Sequence, residues 1–414
     1  MSELKGACIF GQSGGPTSVI NASAAGVFKE ALSQSCITEV YGAAHGIRGI
    51  LDEVFYDISK EDEKELDYLL TTPSSALGSV RYKLKSFEED DSDYEKILSV
   101  FKKYDIRYFF YNGGNDSMDT CSKISRFMET KGYECRVMGV PKTIDNDLWG
   151  TDHCPGFGSA AKYVATAAME VYHDARVYDK GMVIILEVMG RNAGWLTAAT
   201  ALATHQGAGP DMIYLPENAF DVDRFMIDVE KIYSSTGHAM VAISEGIKDS
   251  KGVYVAEMLH SSLSKDSFGH AQLGGAANLL SGLIKSNLNV KVRTIEFNLL
   301  QRCAAHCASK VDIDEAFMAG RMAVKYAVEG QSGYMVAFER KYDPDYVCLP
   351  KLVGLTETAN KEKLVPAEWM INEGRGLNEQ FINYVKPLIA GEHHFPTEGG
   401  LPRFAQLRKV LATK

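Results

Sequence analysis

Short apolar runs alternate along the chain with longer stretches in which apolar residues recur every three or four positions. GACIFG (6–11), TEVYGAA (38–44), IRYFFYNGG (106–114) and ECRVMGVPK (134–142) read as strands. Between them, SVINASAAGVFKEALSQ, DYEKILSVFKKYD and SMDTCSKISRFMETKG carry the helical period. After Gly156 the rhythm restarts. SAAKYVATAAMEVYHDAR (159–176) is a helix with a small-residue face, and KGMVIILEVMG is a buried strand. DMIYLP and HAMVAISEG follow as strands, NLLSGLIKS as a helix and KVRTIEF as a strand. From about Glu357 the pattern becomes polar and is expected to be helical, apart from the irregular stretch GEHHFPTEGGLP.

This order predicts an α/β protein built on largely parallel, doubly wound sheets. Two units are expected, 1–156 and 157–300, with a cleft between them. The stretch 301–355 is expected to return to the first unit, and 356–414 to form a helical extension. In such sheets ligands gather at the carboxyl ends of strands, beside helix N-termini. The loops at those ends therefore hold the candidate chemistry.

Composition narrows the partners. At 414 residues, 45% hydrophobic and 24% charged, the chain has the make-up of a soluble globular protein. A net charge of −10 argues against nucleic acid or an anionic membrane as the main partner, but leaves room for a local basic pocket. MSELKGACIFGQSGG lacks the apolar core of a signal peptide, and no run has the length of a membrane span. The eight cysteines show no CxxC pair, so free buried thiols in a reducing cytoplasm are expected.

Four loops stand out. FGQSGGPTS is a strand, a Gly-rich turn and a helix start, in which Gly14 and Gly15 let backbone approach an oxyanion. It matches neither GxxxxGK[ST] nor GxGxxG. In TIDND, Asp145 and Asp147 project to the same side if the segment is extended, which suits a base beside a magnesium ligand. EVMGRNAGW sets Arg191 just past a strand end, where it would neutralise charge on a transferring phosphoryl group. Arg293 and Arg302 flank the last strand of the second unit and suit a sugar phosphate. Each of these has an ordinary structural reading when taken alone.

In order and spacing, however, SGG (13–15), LGSVR (77–81), GGNDS (113–117), PKTIDND (141–147), GTD (150–152), EVMGR (187–191), ISEG (243–246) and the pair Arg293 and Arg302 resemble phosphofructokinases over about three hundred residues. The resemblance implies two Rossmann-like α/β domains with the active site between them. It also implies magnesium-dependent, reversible phosphoryl transfer to the 1-hydroxyl of fructose 6-phosphate. Asp145 would be the base, with Thr143 beside it and Arg191 steadying the transition state. Asn115, Asp116 and Asp147 would hold magnesium. Thr143, Met189, Gly190, Arg191, Glu245, Arg293 and Arg302 would bind fructose 6-phosphate. Gly14, Gly15, Arg81, Gly114, Asp116, Ser117 and Lys142 would hold the phosphoryl donor. A homo-oligomer, dimer or tetramer, would complete the sugar site across subunits.

ATP-dependent members carry glycine at positions 116 and 142, whereas pyrophosphate-dependent members carry aspartate and lysine. Asp116 would repel the α-phosphate end of ATP, with Lys142 pairing with it and reaching pyrophosphate. The resemblance is therefore to the pyrophosphate-dependent type; the alternatives are an ATP-dependent enzyme or a non-catalytic subunit. The chain departs from the family pattern at Asn115, where aspartate is usual, at Leu299 for His or Tyr, and at Met182 for a subunit-bridging arginine.

Overall fold

The computed structural model describes residues 4–259, 274–342, 345–359 and 361–413. Its main strands are β1 (Gly6–Gln12), β2 (Ile37–Ala43), β3 (Phe55–Asp57), β4 (Ile106–Gly113), β5 (Arg136–Pro141), β6 (Val183–Val188), β7 (Met212–Tyr214), β8 (Ala239–Ser244), β9 (Val292–Glu296), β10 (Tyr334–Tyr342) and β11 (Tyr346–Gly354). They form a seven-stranded sheet, β11-β10-β5-β4-β1-β2-β3, and a four-stranded sheet, β7-β8-β6-β9.

Both sheets are parallel where they are buried. β1 pairs in parallel with β2 and β4, and β4 with β5; only the edges are antiparallel, β3 on β2 and β11 on β10. β6, β8, β7 and β9 are parallel throughout. Every residue of β1 is buried, and its side chains alternate between two cores. Ala7 and Ile9 pack with residues of helices Ser92–Lys103 and Asn115–Thr130, whereas Cys8 and Phe10 face helices Ile20–Ser33 and Lys310–Val328. Coverage of both faces is why these strands read as continuous apolar runs rather than alternating ones. The same split divides β6: Val183 and Ile185 lie in one core, Ile184, Leu186 and Val188 in another.

The stretch after Gly354 departs from expectation. Among the described residues of 356–414, the only α-helix that begins there is Glu379–Val385, accompanied by short 3-10 turns and two two-residue ribbons. Pro366, Gly374, Gly376, Pro387, Gly391, Pro396, Gly399, Gly400 and Pro402 punctuate it too closely for longer helices. Its last residues run along the edge of the first sheet. Asp57 N donates to Val410 O at 2.8 Å and Ala412 N to Phe55 O at 2.9 Å, with Leu411 bridging Tyr56. The tail thereby covers an edge strand that would otherwise offer unpaired backbone groups.

The eight cysteines are free, but only five are buried: Cys303 is exposed, and Cys307 and Cys348 are half-buried. No helix among the described residues is long and apolar enough to cross a membrane.

Candidate active site

The loops after β1, β4 and β5 meet the loop after β6 in one cleft, of about 460 Å³. That volume is in the range of small-molecule sites. Twelve of the residues singled out in the sequence line it: Gly14, Gly15, Arg81, Gly114, Asn115, Asp116, Ser117, Lys142, Thr143, Asp145, Asp147 and Arg191.

On the donor side, Gly14 lies at φ +74°, a region that favours glycine, with the Lys142 ammonium close to where a Cβ would stand. The segment before Arg81 runs alongside this turn, Gly14 N donating to Val80 O at 3.2 Å and Ser79 Oγ to Gly14 O at 2.7 Å. Helix Asn115–Thr130 begins at Gly114 with no side-chain cap; Ser117 N donates to Gly114 O at 3.0 Å, and the N–H groups of Asn115 and Asp116 are left for a ligand. Lys142 is 4% exposed, and its Nζ donates to Gly15 O at 2.6 Å. Among the described residues it makes no ion pair with Asp116, contrary to the expected pairing. Burial pushes the Lys142 ammonium down to about 8, with Arg81 and Arg302 adding to the fall against the pull of Asp145 and Asp147. Three cations thus crowd one wall, an arrangement that an anionic ligand relieves.

The opposite wall is acidic. TIDND is not extended, the condition under which Asp145 and Asp147 were expected to share a side, yet both line the cleft. Asn146 turns into the left-handed region (φ +55°), held by its Nδ2 donating to Tyr384 Oη at 2.9 Å and its Oδ1 accepting from Cys154 N at 3.0 Å. The buried Asn146 thus occupies the turn, while Asp145 and Asp147 on either side of it line the cleft. Thr143 Oγ1 accepts from Asp145 N at 3.1 Å and fixes the turn from the other end. Burial raises the Asp145 carboxyl, while Lys142, Arg191 and Arg302 oppose the rise. Burial, then Asp145 and Glu362, push Asp147 up to about 7. Asn115 Nδ2 donates to Asp147 Oδ2 at 3.2 Å, and Asn115 Oδ1 is buried without a hydrogen-bond partner among the described residues. Crowded carboxylates beside an orphaned amide oxygen fit a hard divalent cation. Asn115 keeps the oxygen of the usual aspartate without its charge.

At the end of β6, Gly190 adopts φ +142°. A Cβ there would stand 2.6 Å from Ala193 O, so the tight turn that presents Arg191 requires glycine. Ser244 Oγ donates to Gly190 O, and Gly190 N donates to Glu245 Oε1 at 3.4 Å. Burial and then Asp145 push Glu245 up to about 7. Gln301 Oε1 accepts from Met189 N at 3.2 Å and so anchors the turn that carries Arg302. Arg302 Nη1 comes within 3.0 Å of a Cβ built on Gly15, and so reaches across to the donor side. Met189, Gly190, Glu245 and Arg302 are therefore gathered beside the cleft. Arg293 is not: it is exposed on β9 and does not line the cleft.

Two lining residues were missed, Asn192 and Glu362. Asn192 sits next to Arg191, where adjacency alone was a signal. Glu362 had none, since a polar tail far along the chain gives no local sign of folding back.

Residues 8–295 match the Phosphofructokinase family. The chain belongs to the phosphofructokinase family. The chain is 44% identical over 416 residues to a protein of Xanthomonas campestris named pyrophosphate--fructose 6-phosphate 1-phosphotransferase, covering 99% of this chain and 98% of the relative. It is 43% identical to a protein of the same name from Halomonas elongata, covering 97% of this chain and 96% of the other. It also superimposes on the crystal structure of a pyrophosphate-dependent phosphofructokinase from Nitrosospira multiformis with a TM-score of 0.88, at 38% identity and 99% and 98% coverage.

Proposed function

We infer that the chain transfers a phosphoryl group from pyrophosphate to the 1-hydroxyl of fructose 6-phosphate, giving fructose 1,6-bisphosphate and phosphate. The observation that carries this is Lys142: a buried ammonium beside Arg81 and Arg302, at a loop containing Asp116 and the open N-terminus of a helix. That wall is built for a compact, highly charged phosphate, and the near-full-length relatives bear the name of this activity.

In our reading Asp145 takes the proton of the sugar 1-hydroxyl as its oxygen attacks the donor phosphorus. The bridging P–O bond breaks, and phosphate leaves against Lys142 and Arg81. Arg191 neutralises charge on the transferring group. Lys142, Arg191 and Arg302 each favour the ionised Asp145 that burial opposes, so the base and the phosphate-binding wall are electrostatically linked. Asp147 and Asn115, with Asp116 near them, would hold magnesium. When bound, the ion neutralises charge on the phosphate oxygens. Met189, Gly190, Glu245 and Arg302 would bind the sugar phosphate. Arg293, exposed and outside this chain's cleft, suits a site completed by a neighbouring copy in a homo-oligomer. The free energies of pyrophosphate and the sugar bisphosphate are similar, so the reaction runs in both directions.

The test is a coupled assay with fructose 6-phosphate and magnesium, supplying first pyrophosphate and then ATP. Turnover with pyrophosphate and only a trace with ATP is the expected result. ATP as the better donor, or no turnover with either, would overturn the reading.

A further inference from the structure

The segment Glu362–Val365 of the C-terminal stretch touches both walls of the cleft. Toward the first sheet, Lys363 N donates to Asp147 O at 2.8 Å and Glu362 bridges Leu148. Lys363 Nζ donates to Asp152 O at 2.6 Å, Thr151 O at 3.3 Å and Asn146 Oδ1 at 3.5 Å. Toward the second sheet, Glu362 Oε1 accepts from Asn192 Nδ2 at 2.7 Å, and Lys363 O from Trp195 Nε1 at 2.8 Å. Val365 N donates to Glu217 Oε1 at 3.1 Å, and the same oxygen accepts from Gly194 N at 2.9 Å. A strap four residues long therefore ties the loop of Asp145 to the loop of Arg191.

We propose that Glu362 is a positioning residue, which through Asn192 holds Arg191 in place opposite Asp145. The inference rests on the reading that Arg191 acts in phosphoryl transfer. The carboxylate of Glu362 is hydrogen-bonded to the residue next to Arg191, on a segment that also holds the backbone of Asp147, and that contact assigns it the role. Small displacements of a group that meets the transferring phosphoryl reduce rate without weakening binding.

The experiment measures kcat and both KM values with pyrophosphate for wild type, Glu362→Ala, Glu362→Gln, Asn192→Ala, Arg191→Ala and the pair Arg191→Ala/Glu362→Ala. Glu362→Ala and Asn192→Ala should each lower kcat about tenfold with both KM values within about twofold. Glu362→Gln should stay within about threefold of wild type, because its amide oxygen still accepts from Asn192. On the Arg191→Ala background, Glu362→Ala should add less than about twofold, as expected for a residue that acts through another. An undiminished effect on that background would overturn the proposal. So would a Gln variant as impaired as the Ala variant, or one that needs more magnesium, which would make Glu362 a ligand. Should Glu362→Ala fail to fold, exposed Asn192→Ala carries the same comparison. Impaired Arg191→Ala with unimpaired Glu362→Ala removes only the strap, whereas wild-type turnover by Arg191→Ala removes the role of Arg191 itself.

Discussion

Replacing Lys142 with methionine keeps most of the side chain's apolar length while removing a charge from a group only 4% exposed. In the free protein that charge is held at a loss. A fall from 10.5 to about 8 corresponds to about 3 kcal/mol, mostly from desolvation. The sign follows from the folded value lying below the unfolded one. Below about pH 8 both states carry the charge and the folded state bears the full penalty; above about 10.5 both are neutral and it vanishes. Against this stands the hydrogen bond from Nζ to Gly15 O, about 1 kcal/mol. Lys142→Met should therefore stabilise the ligand-free protein by about 2 kcal/mol at pH 7, raising Tm by about 2–4 °C. The gain should shrink as the pH approaches 10.

The same change should damage catalysis. A charge-assisted hydrogen bond to a phosphate oxygen contributes about 1.5–3 kcal/mol, so kcat/KM for pyrophosphate should fall about tenfold to a hundredfold. Because kcat/KM reports the free enzyme, the wild-type advantage should itself decline as pH rises through about 8. Pyrophosphate and magnesium ionise identically in both assays, so the ratio of wild type to variant isolates the lysine. Thermal melts at pH 7 and 10, with kinetics between pH 6.5 and 9.5, give both readouts. A Tm several degrees lower at pH 7, or a ratio flat across pH 8, would refute the reasoning.

Asp145→Ala should lose roughly two to four decades of kcat with little change in either KM, and more than a tenth of wild-type turnover would end its assignment as the base. Asp116→Gly should raise kcat/KM with ATP above the wild-type trace while weakening pyrophosphate use, because a carboxylate within a few ångströms of the ATP α-phosphate is removed. ATP activity that stays at background would mean that exclusion by Asp116 does not decide donor choice. His153, buried between Asp152 at 2.8 Å and Glu315 at 2.7 Å, holds together two carboxylates that Arg340 and Tyr346 also contact. His153→Ala should destabilise the chain by about 3–5 kcal/mol in urea unfolding, since it strands Glu315 in the core, and a loss below 1 kcal/mol would contradict that.

The local parts of this molecule were readable because each was set by neighbours in sequence. Central strands such as β1 are largely apolar runs because helices cover both faces, and eleven of the twelve cleft residues, all but Arg81, follow strand ends, where parallel sheets place their ligands. Aspartate and lysine at 116 and 142 were visible as departures from glycine. What failed were inferences that needed a backbone angle or the course of the polar tail. The extended reading of TIDND missed that Asn146 takes a positive φ, an angle stabilised by Tyr384, more than two hundred residues away. Nor did sequence spacing show that the Lys142 ammonium would donate to the carbonyl of Gly15, from the loop after β1.

The tail shows why the remainder was illegible. Its residues carry little apolar periodicity, and a polar, Gly- and Pro-punctuated sequence reads as a loosely structured extension. Yet backbone hydrogen bonds and buried charges fix its course, and these leave no pattern in sequence. Lys363 fits because it finds the carbonyls of Thr151 and Asp152, and burial lowers its ammonium as it lowers that of Lys142. Both lysines therefore draw their charge into the protein at a cost, one facing the cleft and one bracing the loop behind it. A buried cation is retained against that cost where the surrounding oxygens are fixed in place. In this chain Lys363 holds the turn that sets Asp145 and Asp147 through Asn146 Oδ1 and Asp147 O, and the loop just after it through the carbonyls of Thr151 and Asp152, so the order of the tail and the geometry of the acidic wall depend on the same contacts.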